Sequence, residues 1–546
     1  MCVADTVSPA LEASTLRQRS AARSLAPPPS PKVVTHPLQT TTQRAASFEP
    51  GAIKVRLTAL RDLVAVLRSR YADAVFRMAF LLIALQIGSL MWHDAQSPVV
   101  QRTEGLEARR RFDALVQELG RESVIDALAL LRCRLAYLGP LVVIACVSFY
   151  FRRSHSVYLL DFTLFQPPPE WNATHEEIVT MLANAGEQEK SFDENDTAFM
   201  SKVLHNSGTG NATAWPPGIL QCREKGVRQD QSMAAARTEA EAVIYGCLSE
   251  LFETTGVKPK EVDFLIINCS LFSPTPSLCA LACNKFGMRS NVRTYNLSGQ
   301  GCSASLLAVD LASELLQNNP GSIAVVVSTE LITQSLYHGH QKGMLLQNTL
   351  FRCGGAALCL TNRARLISRA KYRLRHLVRT QTCDDEALRA VYQCEDEHGH
   401  SGVRLSKNIV EVAGKAMKIN LTQLGPFVLP LKEQLKVALS LVARRLGRAS
   451  CARYVPSFKS AIHFFCIHPG GRAVLDGIEK NLSLTPKDME PSRATLRDRG
   501  NTSSSSIWYE LRYIEEHMSI RRGHKVLQLA FGSGFKCNSA VWTRLR

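Results

Sequence analysis

From residue 157 onward, two spacings of apolar residues alternate along the chain. Short runs of aliphatic and β-branched residues, bounded by Gly, Pro, Asn or Ser, give way to stretches whose apolar residues recur every three or four positions. The runs at 158–162, 264–270, 292–297, 322–329, 354–360, 461–467 and 526–531 are predicted strands. The run 322–329 (SIAVVVST) is apolar throughout, the pattern of a strand buried on both faces. The helical spacing predicts helices ending at Gly256, over 277–286, from Ala304 to Asn318-Asn319-Pro320-Gly321, over 431–446, after Gly471 to Asn481, and over 503–516 behind four serines. Residues 170–230 are polar, with Gly and Asn, and are expected to form a cap or loop region. The strand–helix grammar runs twice, over 154–365 and 366–546. Turns of small residues close strands in the two halves, Ser298-Gly299-Gln300-Gly301 in the first and His468-Pro469-Gly470-Gly471 and Gly532-Ser533-Gly534 in the second. An α/β fold with two related halves follows, with its site between them at strand C-termini.

The first 153 residues read differently. Residues 1–72 are rich in Ser, Thr, Ala, Pro and basic side chains and hold no core, so they are expected to be a disordered basic arm; an organelle transit peptide is the other reading. Two apolar runs follow, 74–92 and 135–151, each near the minimum of about 17 to 25 residues for a membrane span. The charged segment 93–134 joins them. A membrane hairpin over 73–153 is expected, with a buried soluble helix pair as the alternative. Arg152-Arg153 behind the second run, and the basic arm before the first, place both termini on the cytosolic side; Arg109-Arg110-Arg111 in the connection argues for a shallow hairpin.

The net charge of +17 suits a membrane surface or an anionic coenzyme, and no nucleic-acid-binding signature accompanies it. The sixteen cysteines are scattered, without a C-x-x-C pair, as expected for reduced thiols. Cys279 and Cys283 stand four apart on a predicted helix but lack further ligands for a metal.

One cysteine differs from the rest. Cys302 follows Gly299-Gln300-Gly301 at the first turn of a predicted helix, where the helix dipole favours thiolate and small residues admit a substrate. The plain alternative is packing, the usual fate of a free cysteine. His468 is placed at a strand tip with its ring exposed, or is an ordinary loop histidine. Asn501 precedes a helix and would otherwise be an N-cap. Together they supply a nucleophile, an imidazole and a neutral amide donor. That set suits transfer of an acyl group to sulfur, followed by stabilisation of an enolate formed when a malonyl thioester loses carbon dioxide.

The stretches NCSLFSPTPSL (268–278), YNLSGQGCSASLLAVDLA (295–312), VVVSTE (325–330), LLQNTLFRCGGAALCLTNR (345–363), FCIHPGGRAVLDGIEKNL (465–482) and RGNTSSSSIWYEL through LAFGSGFKCNSAVW (499–542) resemble plant-type 3-ketoacyl-CoA synthases, of the thiolase and chalcone synthase superfamily. The resemblance covers about residues 155–546. It implies a thiolase-like, pseudo-duplicated αβαβα fold with an N-terminal membrane hairpin, and a catalytic triad of Cys302, His468 and Asn501. Gly532 and Gly534 match the glycine loop behind the thioester. It implies condensation of malonyl-CoA with a long-chain acyl-CoA, without metal or redox cofactor, at the cytosolic face of the endoplasmic reticulum membrane. A homodimer is implied too, with a ketoreductase, a dehydratase and an enoyl reductase as elongase partners. The family's further histidines are replaced here by Phe464, Arg497 and Gln381. The rival readings are a type III polyketide synthase and an inactive elongase scaffold.

Overall fold

A computed structural model of the 546-residue chain describes residues 156–184, 192–224, 226–445 and 454–546. The arm 1–72, both candidate spans and the connection 93–134 lie outside the described residues. Among those described, no helix is long and apolar enough to cross a membrane.

Nine strands form one sheet: β1 (Tyr158–Leu164), β2 (Phe264–Asn268), β3 (Arg293–Leu297), β4 (Ile323–Glu330), β5 (Gly354–Thr361), β6 (Tyr372–Gln381), β7 (Phe464–Ile467), β8 (Lys525–Gly532) and β9 (Lys536–Arg544). Their order is β7-β8-β9-β6-β1-β5-β4-β2-β3. β2 runs parallel to both β3 and β4, and β7 parallel to β8; all other pairs are antiparallel. Reading outward from the central β1–β6 pair, each half has an antiparallel strand (β5 or β9) and then parallel ones (β4-β2 or β8-β7), so the internal duplication is visible in the strand order.

The helices that position the site are α1 (Met233–Thr255), α2 (Ala304–Asn318), α3 (Ile409–Val428), α4 (Leu431–Arg445), α5 (Arg472–Leu482), α6 (Pro486–Arg499) and α7 (Ser506–His517). Two-residue alternation explains the layering. In β4, Ile323, Val325 and Val327 join a core with α1, whereas Ala324 and Val326 join a second core containing Leu306, Val309 and Leu316 of α2 and Ile507, Trp508 and Leu511 of α7. In β8, Val526 and Ala530 enter that same central core, and Leu527, Leu529 and Phe531 pack outward with α3, α5 and α6. The layers are therefore α, β, α, β, α, with α2 and α7 buried in the middle. Trp508 Nε1 donates to Ser305 Oγ at 2.6 Å, which ties the two central helices together.

Three expectations change. Residues 170–230 are no mere loop: helices His175–Asn184 and Glu194–Ser207 bury Ile178, Met181, Met200 and Leu204 in the α1 core, and Asp193 and Asp196 form a reciprocal capping box. The strand predicted over 461–467 begins at Phe464, after a short turn at Phe458–Ser460. β6 was not anticipated, because its sequence YRLRHLVRTQ carries three arginines. Each finds a partner: Arg373 the Ser156 hydroxyl, Arg375 that of Thr543, and Arg379 the Asp310 carboxylate.

Candidate active site

The Cys302 turn is built from glycines for two different reasons. Gly299 and Gly301 have φ of 67° and 63°, left-handed values that glycine adopts without penalty. Gly532 is needed for space: a Cβ there would stand 2.3 Å from Ser303 Oγ and 2.6 Å from the Gln300 carbonyl. The end of β8 is thus pressed against the turn that carries the cysteine. Gly301 N donates to Ser270 Oγ at 3.0 Å, anchoring the turn to the chain beyond β2. Gly532→Ala is expected to cost about 1–3 kcal/mol and to lower activity more than expression, because relief must move Ser303 and with it Cys302. Thermal unfolding and turnover of the purified variant check this.

Asn501 reaches the same region from the other half. Gly500 (φ 68°) turns the chain out of α6. Asn501 N then donates to the Leu350 carbonyl at 3.2 Å, and its own carbonyl accepts from Arg352 N at 2.9 Å. Arg352 is wholly buried and holds this strip in place through Thr213 Oγ1 (2.7 Å) and the carbonyls of Thr349 and Phe351 (2.9 and 2.8 Å). The Asn501 Oδ1 accepts from Ser503 N at 2.9 Å. A backbone N–H can only donate, so this contact fixes the amide orientation. Among the described residues Nδ2 then has no acceptor. The side chain makes a local turn rather than capping α7, whose N-cap residue is Ser505.

Ser503, with φ 57°, sits between the two turns. Its hydroxyl lies 3.4 Å from Cys302 Sγ and 3.0 Å from Glu330 Oε2, and its one proton can serve either acceptor. Glu330, at the end of β4, is buried and also accepts from Ser270 N and Leu271 N at 2.8 and 2.7 Å. Burial raises its pKa despite these donors. Neither Glu330 nor Ser503 stood out in the sequence as a site residue. Their contact spans 173 positions, and the remaining signal was the run of four serines at 503–506, all buried.

His468 follows β7 and is 3 % exposed, where an exposed ring was expected. The chain doubles back over it: Gly470 N donates to the His468 carbonyl at 2.9 Å, and a Cβ on Gly470 would lie 3.6 Å from the ring. Its Nδ1 is buried without any partner. Burial lowers its pKa to about 4, so the ring is neutral at physiological pH. His468 N also donates to Leu529 O, which sets it beside the closing residues of β8. Because β8 ends on the Cys302 turn, the structure brings all five sequence-predicted residues to one end of the sheet, with Gly534 (φ 98°) in the β8–β9 turn. Buried polar atoms without partners are rare in folded proteins. His468 Nδ1 is one of ten such side-chain atoms among the described residues, and it is the one on a site residue singled out by the sequence.

The Cys302 thiol departs from expectation. Burial pushes it up to about 12, and the nearby Glu330 carboxylate adds to the rise that the Ser503 hydroxyl opposes. Desolvation outweighs the helix dipole, so the unloaded site holds a thiol, and the imidazole at the same end of the sheet is neutral. Alkylation of Cys302 by iodoacetamide is expected to be slow at neutral pH and to climb steadily toward alkaline pH. Peptide mass spectrometry across a pH series measures it; fast labelling with a plateau near neutrality would contradict this.

The three positions where family histidines are replaced lie apart from these contacts. Arg497 pairs with Asp498 and lines a surface cleft of about 820 Å³ with Arg472, Lys487 and Arg493. Gln381 is exposed at the end of β6, and Phe464 sits near His524. Cys279 is buried and donates to the Tyr295 carbonyl, and none of the twelve cysteines among the described residues forms a disulfide.

Comparison with known proteins places this geometry in context. Residues 149–446 match the family model "FAE1/Type III polyketide synthase-like protein", and residues 453–544 match "Chalcone and stilbene synthases, C-terminal domain". The chain is 48% identical over 409 residues to 3-ketoacyl-CoA synthase 4 of Arabidopsis thaliana, covering 75% of this chain and 78% of that protein. It is 47% identical over 405 residues to 3-ketoacyl-CoA synthase 6 of the same plant, covering 73% and 79%. Among solved structures it resembles CsyB complexed with CoA-SH, with a TM-score of 0.56 at 19% identity, over 71% of this chain and 100% of that one. The 1,3,6,8-tetrahydroxynaphthalene synthase of Streptomyces coelicolor A3(2), a bacterial type III polyketide synthase, gives a TM-score of 0.53 at 19% identity, over 71% and 99%. These two likenesses concern the fold.

Proposed function

Because the chain belongs to the FAE1/type III polyketide synthase-like family, we propose a division of labour among the residues gathered at the strand ends. The chain is a 3-ketoacyl-CoA synthase, the condensing acyltransferase of very-long-chain fatty acid elongation. In the proposed mechanism Cys302 attacks the thioester carbonyl of a long-chain acyl-CoA. Neutral His468 takes the thiol proton during that attack, because the unloaded site holds no preformed thiolate. CoA leaves as its thiol with the proton that His468 took, so the imidazole is neutral again, and the acyl group stays on sulfur. Malonyl-CoA then binds. Its carbon–carboxylate bond breaks, carbon dioxide departs, and the electron pair passes into an enolate of the acetyl thioester. His468 and Asn501 donate to the enolate oxygen. The carbanion attacks the acyl carbonyl, a carbon–carbon bond forms and the carbon–sulfur bond to Cys302 breaks; the released thiolate takes a proton from solvent, which restores the resting thiol and leaves a 3-ketoacyl-CoA as product. The Gly532–Gly534 loop backs the thioester near the Cys302 amide. No step requires a metal or redox cofactor.

The observation that carries this reading is the pairing of an amide with an unused Nδ2 and a buried imidazole with an orphaned Nδ1, at the strand ends that hold a cysteine. Incubation with radiolabelled malonyl-CoA and acyl-CoAs of graded length tests it. One two-carbon extension per turnover, with one carbon dioxide released, is the expected result. Repeated extension ending in a cyclised product would favour a polyketide synthase, which the fold also accommodates. No extension at all, with intact protein, would leave an elongase scaffold.

The reading extends to location. A membrane hairpin over 73–153 would hold the catalytic domain at the cytosolic face of the endoplasmic reticulum, as a homodimer within reach of the ketoreductase, dehydratase and enoyl reductase that complete a cycle. Asn268, Asn296 and Asn501 each begin an Asn-x-Ser sequon. Asn268 and Asn501 are buried, so a glycan on either is incompatible with this fold. Protease added to intact microsomes is expected to digest the catalytic domain without detergent, and endoglycosidase to leave its mobility unchanged. A protected, glycosylated domain would overturn the assignment.

A further inference from the structure

Helix α4 is inverted. Its sequence, LKEQLKVALSLVARR, sets Leu431, Leu435, Leu439 and Val442 on one face at helical spacing. In a helix packed on a globular domain that face points inward. Here these four side chains are 65 %, 53 %, 68 % and 52 % exposed. The polar side faces the protein instead. Glu433 is buried, where its Oε2 accepts from the Tyr454 hydroxyl and from Ser457 N and its Oε1 from Lys436 Nζ; Ser440 Oγ accepts from Tyr454 N. Val455, next to Tyr454 and therefore alongside α4, is exposed as well.

The charges around the apolar face identify its partner. α4 carries four basic side chains, Lys432, Lys436, Arg444 and Arg445, against one acid, and that acid is buried. Lys432 and Arg444 are exposed and form no ion pair among the described residues. A leucine face bordered by the unpaired Lys432, on a helix with no exposed acid, is the pattern of a helix seated in the boundary between headgroups and acyl chains of an anionic bilayer. A second copy of this chain fits less well, because α4 against α4 would oppose like charges. We infer that α4 is an interfacial membrane helix, with Leu431, Leu435, Leu439 and Val442 inserted among lipid acyl chains and Lys432 at anionic headgroups. This assignment rests on exposure and charge and does not depend on the chemistry at Cys302.

The test must read position on the helix, since other segments of the full chain can also hold it to vesicles. The full chain, with p-benzoylphenylalanine in place of Leu439, is reconstituted into phosphatidylcholine vesicles with or without phosphatidylserine and irradiated. The expected result is a lipid adduct on the peptide containing position 439, more abundant with phosphatidylserine. Adding Lys432→Glu should cut it about fivefold or more, and so should Leu435→Asp. These positions are exposed, so the substitutions leave the core untouched, and unchanged near-ultraviolet circular dichroism confirms folding. An adduct to a second copy, an adduct to residues elsewhere in the same chain, or no lipid adduct would each overturn the proposal.

Discussion

Cys302→Ala is expected to lower condensation by about four orders of magnitude or more, the scale seen when a covalent nucleophile is removed. The side chain lies between a glycine turn and the first turn of α2, in a position that accepts a small residue, so protein level and unfolding temperature should hold. The Ser503 hydroxyl then keeps Glu330 as its acceptor, so no buried group loses its partner. The two donors assigned to the enolate remain in place. Slow decarboxylation of malonyl-CoA should therefore survive in Cys302→Ala while transfer of the acyl chain does not. Acyl-CoA turnover and release of labelled carbon dioxide, measured on the same preparation, separate the two. Retained elongation would remove Cys302 from the mechanism.

Asn501→Asp is expected to lower condensation by about 10²–10³-fold, the usual effect of losing one donor to a developing oxyanion. The substitution keeps the shape and keeps an oxygen for Ser503 N to donate to, so the turn persists. What it changes is the other end of the group. A carboxylate oxygen replaces the Nδ2 donor and repels the enolate, and its burial leaves little solvent to screen that repulsion. Asn501→Ala removes the donor without adding charge and should be the milder of the two. In both, acylation of Cys302 by acyl-CoA should proceed near the normal rate, because the amide acts after the acyl-enzyme has formed. Single-turnover acylation measured beside steady-state condensation checks the split. Variants that fail to acylate yet decarboxylate normally would place Asn501 in another role.

Much of this architecture was legible because some residues obey a single dominant constraint. A strand covered on both faces must be apolar at every position, and 322–329 announces β4 in that way. A helix buried between the two halves of the sheet must follow small residues where a loop approaches closely, which marks the start of α2. β6 was hidden because its arginines satisfy themselves at long range, Arg379 with Asp310 and Arg375 with Thr543. No local pattern encodes such a pairing. α6 was hidden by its polarity and its two prolines, although its capping box of Thr485 and Asp488 was readable in principle.

The site divides along the same line. Cys302, His468 and Asn501 each stand beside a glycine-bearing turn, which sequence can show. Their electrostatics come from what folds over them. The turn at Gly470 folds back on His468, whose expected exposed ring is instead buried and neutral, and enclosure of Cys302 by Ser503, Glu330 and the β8 turn raises the thiol instead of lowering it. The same non-locality hides the α4 surface, since a leucine-rich amphipathic helix looks alike in sequence whether its apolar side faces a core or a lipid.

The central claim is that Cys302 carries the acyl group between its two thioesters. The most direct test is to mix the protein with a long-chain acyl-CoA alone, quench in acid and locate the adduct by peptide mass spectrometry. The account predicts the mass of the acyl chain on the peptide containing Cys302, its disappearance when malonyl-CoA is added, and the matching appearance of a 3-ketoacyl-CoA two carbons longer. An adduct on another residue, or elongation with no adduct on Cys302 at any time point, would contradict it.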